Sequence, residues 1–217
     1  MLDDTKRPAE VFELHIPDGL LSMPVIVITY AITIAGIAYA AKKLRNFPEE
    51  KIPLLGLFAA GIFAAQMVNF PIIGGVSGHL LGATLVAIML GPYAAVIVMT
   101  AVLLIQTLLF GDGGITAIGA NILNMGLIGA FIGYAVYTKL KGINETFAIA
   151  LASWLSVVLG ATLAAVEIGL SHSLPFLKVL TLMAGYHSII GIGEAILTVL
   201  IVYAVRAKLP SIEGVPA

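Results

Sequence analysis

The chain contains no cysteine. Disulfides and thiolate-held metals are therefore excluded. Charge is also scarce: Asp, Glu, Lys and Arg supply 11% of 217 residues, where a soluble domain carries about a quarter. At a formal net charge of −1 there is no basic field to attract nucleic acid. No HExxH pair occurs, and no carboxylate is spaced from a histidine as a general base requires, which argues against an intramembrane metalloenzyme. Trp154 is the single tryptophan, a poor start for the aromatic and polar pocket that an organic vitamin would need. There is no nucleotide loop either, because the Gly111-Asp112-Gly113-Gly114 run lacks a strand-to-helix setting.

What the chain has is apolar length. Hydrophobic residues make up 60% of it and the mean hydropathy is +1.08, more than a water-soluble core of this size can bury. The pattern predicts an all-α, polytopic membrane protein with about seven transmembrane helices, near 24–41, 53–68, 80–90, 93–109, 117–138, 145–169 and 180–205. Asp3, Asp4, Glu10, Glu13 and Asp18 precede the first apolar run, and Lys42, Lys43 and Arg45 follow it. A cleavable signal has the opposite charge order, so this reads as a retained helix with its N-terminus outside. Seven spans then put Lys42, Lys43, Arg45, Lys51, Lys139, Lys141, Arg206 and Lys208 inside, and Lys6, Arg7 and Lys178 outside. That bias satisfies the positive-inside rule and leaves the C-terminus cytoplasmic. The expected organisation is a polar N-terminal extension (1–14), one transmembrane domain (15–207) and a cytoplasmic tail (208–217).

The polar residues that interrupt this background are the candidates for chemistry. His79 closes the run Gly74-Gly75-Val76-Ser77-Gly78-His79. Irregular backbone near membrane depth survives only where protein buries it or it lines a cavity, so a histidine there is a functional candidate; the bland alternative is a loop histidine bonded to a carbonyl. His15, in Leu14-His15-Ile16-Pro17-Asp18-Gly19, stands on a polar–apolar border, where a lone histidine is more often structural. In the predicted topology both face the outside, as an uptake site needs. Asp18, Asn69 and Ser77 are candidates to orient such ligands. His187 and Glu194 are seven residues apart on the last helix and share a face; they form either a proton path or an interior polar pair, and Glu167 is of the same kind. Asp112 reads either as a carboxylate that collects cations or, the simpler reading, as a turn residue before Gly113-Gly114, and His172 reads as a solvated loop residue. Gly56, Ala60 and Ala64 make a small-residue stripe for close helix packing, internal or with a partner.

Four segments carry a resemblance: HIPDGLLS (15–22), NFPIIGGVSGHLLGATLVAIMLGP (69–92), FGDGGITAIGANILNMG (110–126) and GYHSIIGIGEAI (185–196). Together they are similar to the CbiM/NikM family, the substrate-binding subunits of energy-coupling-factor importers for cobalt or nickel, a transport linked to cobalamin biosynthesis in its cobalt branch. The resemblance implies a seven-helix metal-binding subunit in the cell membrane. It implies as partners a transmembrane coupling subunit and two ATPase subunits, and in cobalt systems a small accessory membrane protein. It also implies Co(II) or Ni(II) as transported substrate, held in a square plane of nitrogens: the rings of His15 and His79, the backbone nitrogen of His15, and a free α-amine on the residue before it. Tetragonal nitrogen sites suit Ni(II) and similar ions, and a backbone-amide ligand must lose its proton, so uptake should weaken in acid. The chain departs from the family pattern in having fourteen residues before His15, with Leu14 where the initiator Met is expected. Cleavage after Glu13, initiation at codon 14, or replacement of the amine by another donor would each reconcile the two. A self-sufficient metal channel or proton-coupled secondary transporter is the competing reading.

Overall fold

A computed structural model describes residues 14–68, 70, 71 and 77–208, and among them the chain forms seven helices. We label them α1 (Met23–Lys43), α2 (Ile52–Gln66), α3 (Ala83–Leu90), α4 (Pro92–Phe110), α5 (Ile118–Leu140), α6 (Glu145–Leu170) and α7 (Phe176–Lys208). Prolines in the first turn open α1, α2 and α4, where the missing N–H costs nothing. The Asn144 side chain caps α6 by accepting from the Phe147 amide at 2.8 Å. Five helices (α1, α4, α5, α6 and α7) are long and apolar enough to cross a membrane. The other two, α2 with 15 residues and α3 with eight, fall short of the ~20 residues a full crossing takes. The last helix is longer than expected because the Pro175 carbonyl already accepts the first helical bond, from Val179.

The bundle is apolar on its outer surface as well as through most of its core, and a minority of polar side chains is buried within that core. Val27, Ile28, Leu108, Leu109, Ile192 and Leu200 point outward, while Gln66, Gln106, Asn121, Asn124, Glu167, His187 and Glu194 are buried. The short α3 is the hub: it packs against α4, α5, α6 and α7, and all but one of its residues are buried. Before it lies an irregular approach containing a two-residue antiparallel ladder, Phe70–Pro71 with Ser77–Gly78. Two helices also widen into π turns, α4 over Gln106–Phe110 and α5 over Ile122–Ile128. Such turns often accompany functional sites, and here they fall beside the buried amides.

One end of the bundle gathers the segments before α1, between α4 and α5, and between α6 and α7. The Ser22 amide donates to Ser171 Oγ at 2.9 Å, and Ser173 Oγ donates to the Leu20 carbonyl at 2.6 Å. At the far end, Arg206 donates to Glu145 Oε1 at 2.7 Å and to Tyr137 at 3.0 Å, tying α5, α6 and α7 together. Leu14, placed in the polar extension by the sequence reading, packs into the core beside Gly160.

The seat of α3 depends on a small neighbour. A Cβ at Gly133 would overlap the Thr84 side chain. Gly133→Val should therefore push α3 off α5, costing about 1–3 kcal/mol of stability; a lowered thermal midpoint in detergent is the check, and an unchanged midpoint would show the contact to be slack.

Candidate metal centre

His15 is held in place mainly by its neighbours' backbone. The buried amide of Asn121, on α5, brackets the following residue: its Oδ1 accepts from the Ile16 amide at 2.9 Å and its Nδ2 donates to the Ile16 carbonyl at 3.1 Å. The same carbonyl accepts from the Gly114 amide at 2.9 Å. Asp18 fastens the segment from the other side, its carboxylate accepting from the amides of Ile115 and Thr116 and from the Thr116 hydroxyl. Those donors, the Thr116 hydroxyl foremost, hold its carboxyl below the usual range despite some desolvation. Asp18 therefore locks the 115–116 turn, and the sequence reading of it as an orienting group for a ligand ring gains no contact here.

The two histidines meet. Their ring centroids are 4.9 Å apart, tilted by 41°. A metal–nitrogen bond of about 2 Å puts two imidazoles in neighbouring coordination positions with ring centres roughly 4.5–5 Å apart. Among the described residues each ring has one nitrogen in a hydrogen bond and one outside any. Gln106 Oε1, at 3.3 Å, accepts from His15 Nε2, which leaves a lone pair on Nδ1. Similarly, His79 Nδ1 donates to the Leu80 carbonyl at 3.1 Å, which leaves the lone pair on Nε2. Burial above all, then the charge of the neighbouring His79, pushes the His15 pKa down to about 4, against the opposing pull of Asp112 and Gln106. The pair can offer two ring nitrogens to one cation.

His79 is positioned from within the membrane-spanning bundle. Two residues after it, the Leu81 amide donates to Glu194 Oε2 at 2.6 Å and the Gly82 amide donates to Oε1 at 2.8 Å. Gln66, at the end of α2, donates to the Leu81 carbonyl at 2.8 Å. Gly82 has φ +80°, a conformation only glycine adopts without strain, as the chain swings into α3. Eighteen residues of α7, about 27 Å of helix, separate Phe176 from Glu194, so the strand after His79 descends well into the bundle. His187, two turns nearer the site end, donates through Nδ1 to the Met183 carbonyl at 2.8 Å. Among the described residues it makes no bond to Glu194, so the expected pair divides into two separate tasks. Asn69 lies outside the described residues, and of Ser77 only the backbone pairing is described.

The residues that sequence reasoning passed over are Gln106, Asn121 and Asn124. Each is an amide within an apolar helix, the one signal by which they could have been found. Asn124 Nδ2 donates to Glu167 Oε2 at 2.7 Å. Asp112, read as a turn residue, stands beside the centre with Oδ1 at 3.6 Å from His15 Nδ1.

Comparison with known proteins matches residues 15–212 to the sequence model of CbiM, described as a cobalt uptake substrate-specific transmembrane region. A fused nickel transport protein, NikMN, from Archaeoglobus fulgidus is 42% identical over 92% of this chain and 68% of its own length. The cobalt transport protein CbiM of Acetohalobium arabaticum is 31% identical over 72% of this chain and 61% of its own. A crystal structure of a truncated transition metal transporter superposes with a TM-score of 0.82 at 35% identity, covering 89% of this chain and 99% of that one.

Two outcomes follow from this geometry. His15 in the fold resists protonation more than in the unfolded chain, where its pKa is ordinary, so the fold should lose stability as pH falls from about 6.5 towards about 4. Thermal melts of metal-free protein across that interval should show the slope, and His15→Asn should flatten it. Replacing Glu194 by Ala orphans two buried amides and loosens the strand behind His79. Co(II) affinity by calorimetry should fall about tenfold or more, and equal affinity would remove Glu194 from the positioning of His79.

Proposed function

The chain belongs to the CbiM family of cobalt uptake transmembrane regions, and from that membership we propose that it is the metal-binding subunit of an ATP-driven importer for Co(II) or Ni(II). Cobalt and nickel transport is the business of its relatives, and the helices make it a multi-pass membrane protein. The observation that carries the proposal is the convergence of His15 and His79, 4.9 Å apart, each with one nitrogen lone pair to spare. In this reading the ion arrives from outside, binds through His15 Nδ1, His79 Nε2 and the deprotonated backbone nitrogen of His15, and leaves inward when partner subunits reorient the bundle. The basic residues Lys42, Lys43, Lys139, Lys141 and Arg206 lie at the end opposite the site, which supports an outward-facing centre and a cytoplasmic C-terminus.

Energy for release comes from elsewhere: a transmembrane coupling subunit and two ATPase subunits, with a small accessory membrane protein in a cobalt system. The stripe of Gly56, Ala60 and Ala64 is exposed on α2, and no atom lies within 4 Å of where a Gly56 Cβ would stand. That open face supports α2 as the surface offered to the coupling subunit. Burial of Leu14 beside Gly160 supports residue 14 as part of the centre, its α-amine freed by cleavage after Glu13 or by initiation at codon 14. A proton relay through His187 and Glu194, as a secondary transporter would need, finds no support, since both Glu194 oxygens are engaged by backbone amides.

His79→Ala and His15→Ala should each abolish Co(II) and Ni(II) binding in calorimetry while the thermal midpoint in detergent is kept; retained binding would overturn the assignment. N-terminal sequencing of the native, metal-loaded protein should find Leu14, or Met at that position, as the first residue. In cells, uptake should require the ATPase partners and ignore a protonophore.

A further inference from the structure

The C-terminal turn of α2 meets the strand behind His79, and the meeting is more selective than helix packing requires. Of the 15 residues of α2 only Ile62 and Gln66 are buried, one turn apart on one face. Gln66 is also the one polar residue of that helix. Elsewhere α2 leans on α4, with Phe63 against the ring of Phe110 at 5.1 Å, and its other residues are half-buried or exposed. Both buried side chains seat on residues 81 and 82. Gln66 Nε2 donates to the Leu81 carbonyl at 2.8 Å, and Ile62 lies where a Cβ at Gly82 would overlap it. Among the described residues, the Gln66 oxygen is buried with no hydrogen-bond partner. A half-satisfied amide is a costly filler for an apolar interior, so the bond to Leu81 is what distinguishes glutamine at this position.

Two successive peptide units carry that seat to the ring of His79. In the first, the Leu80 carbonyl accepts from His79 Nδ1 at 3.1 Å and the Leu81 amide donates to Glu194 Oε2 at 2.6 Å. In the second, the Leu81 carbonyl accepts from Gln66 and the Gly82 amide donates to Glu194 Oε1 at 2.8 Å. A peptide unit is planar and nearly rigid, so its carbonyl cannot tilt without moving its amide. Glu194, on α7, holds one edge of both units. The opposite edge of the first bears the imidazole, and that of the second belongs to α2. The two units share the Leu81 α-carbon, so a shift of α2 turns the second about Glu194 and disturbs the carbonyl on which the imidazole rests.

We propose that Gln66 is a positioning residue for His79, and that through it α2 registers whether the site holds an ion. The proposal rests on the reading of His79 as a ligand and of α2 as the face offered to the coupling subunit. Coupling between two sites is reciprocal. If the seat of α2 steadies the imidazole for the metal, a metal that fixes the imidazole steadies the seat of α2. The bare side of α2 is then firmer when the protein is loaded than when it is empty, a difference that a partner lying on that face can use.

The test uses the full chain in detergent, with and without Co(II). In the unaltered protein, Co(II) should slow amide exchange across α2 (52–66) about fivefold or more, and by more than in the last two turns of α1, at the opposite end. Gln66→Met keeps the bulk and deletes the bond. It should cut Co(II) affinity about tenfold or more, change the visible spectrum of bound Co(II) and abolish the protection of α2. Phe63→Ala removes a contact of α2 with α4; it should lower the thermal midpoint yet keep both the affinity and the spectrum. Exchange in α2 that ignores Co(II), or slows no more than in α1, would overturn the proposal, and this arm needs no variant to fold. So would Gln66→Met with its spectrum intact and an affinity loss no greater than that of Phe63→Ala, which would mean a role in stability alone. Failure of the underlying reading looks different, because His79→Ala would then bind Co(II) as well as the unaltered protein.

Discussion

Non-helical backbone inside a lipid-embedded bundle has no water to bond, so each of its amides and carbonyls must find a partner within the protein. The segment from His79 to Gly82 meets that demand with side chains from distant helices. Glu194 takes two amides and Gln66 serves one carbonyl. A carboxylate in an apolar interior is costly unless its oxygens are satisfied, and irregular backbone there is costly unless its donors are. Each solves the other's problem. The fixed orientation of His79 is a by-product of this exchange, and α3 starts where it does because the exchange ends there.

The same economy governs the other half of the centre. Asn121 closes both a donor and an acceptor on Ile16, as a neighbouring strand would, and Gly114 bonds the same carbonyl. His15 is therefore placed by bonds to the residue after it rather than by its own ring. The ring needs only Gln106 to settle which nitrogen carries the proton. Both π turns lie where these amides are presented, at Gln106 and next to Asn121.

Much of this is legible in the sequence. Glycine and proline punctuation marks the irregular stretches around His15 and His79, and a charged group in a greasy helix marks Glu194 as interior. Helix order and boundaries follow hydropathy, except that α7 starts early, because the Pro175 carbonyl already accepts from the Val179 amide. What one dimension hides is which partner each polar group chooses. Glu194 and His187 share a face and suggest a pair, yet backbone elsewhere competes for both. The π turns come from tertiary packing and leave no periodic trace. Asp112 reads correctly as a turn residue; that the turn rests on His15 is a fact of the third dimension.

The length of α7 carries a mechanical corollary. Thirty-three residues make a rod of about 50 Å, against a hydrocarbon slab of about 30 Å. Such a rod leans or overhangs. Glu194 grips Leu81 and Gly82 near its midpoint, while Arg206 anchors its far end to α5 and α6. A push on that distal handle would swing the rod about its middle, and the first thing to feel the torque would be the tether behind His79.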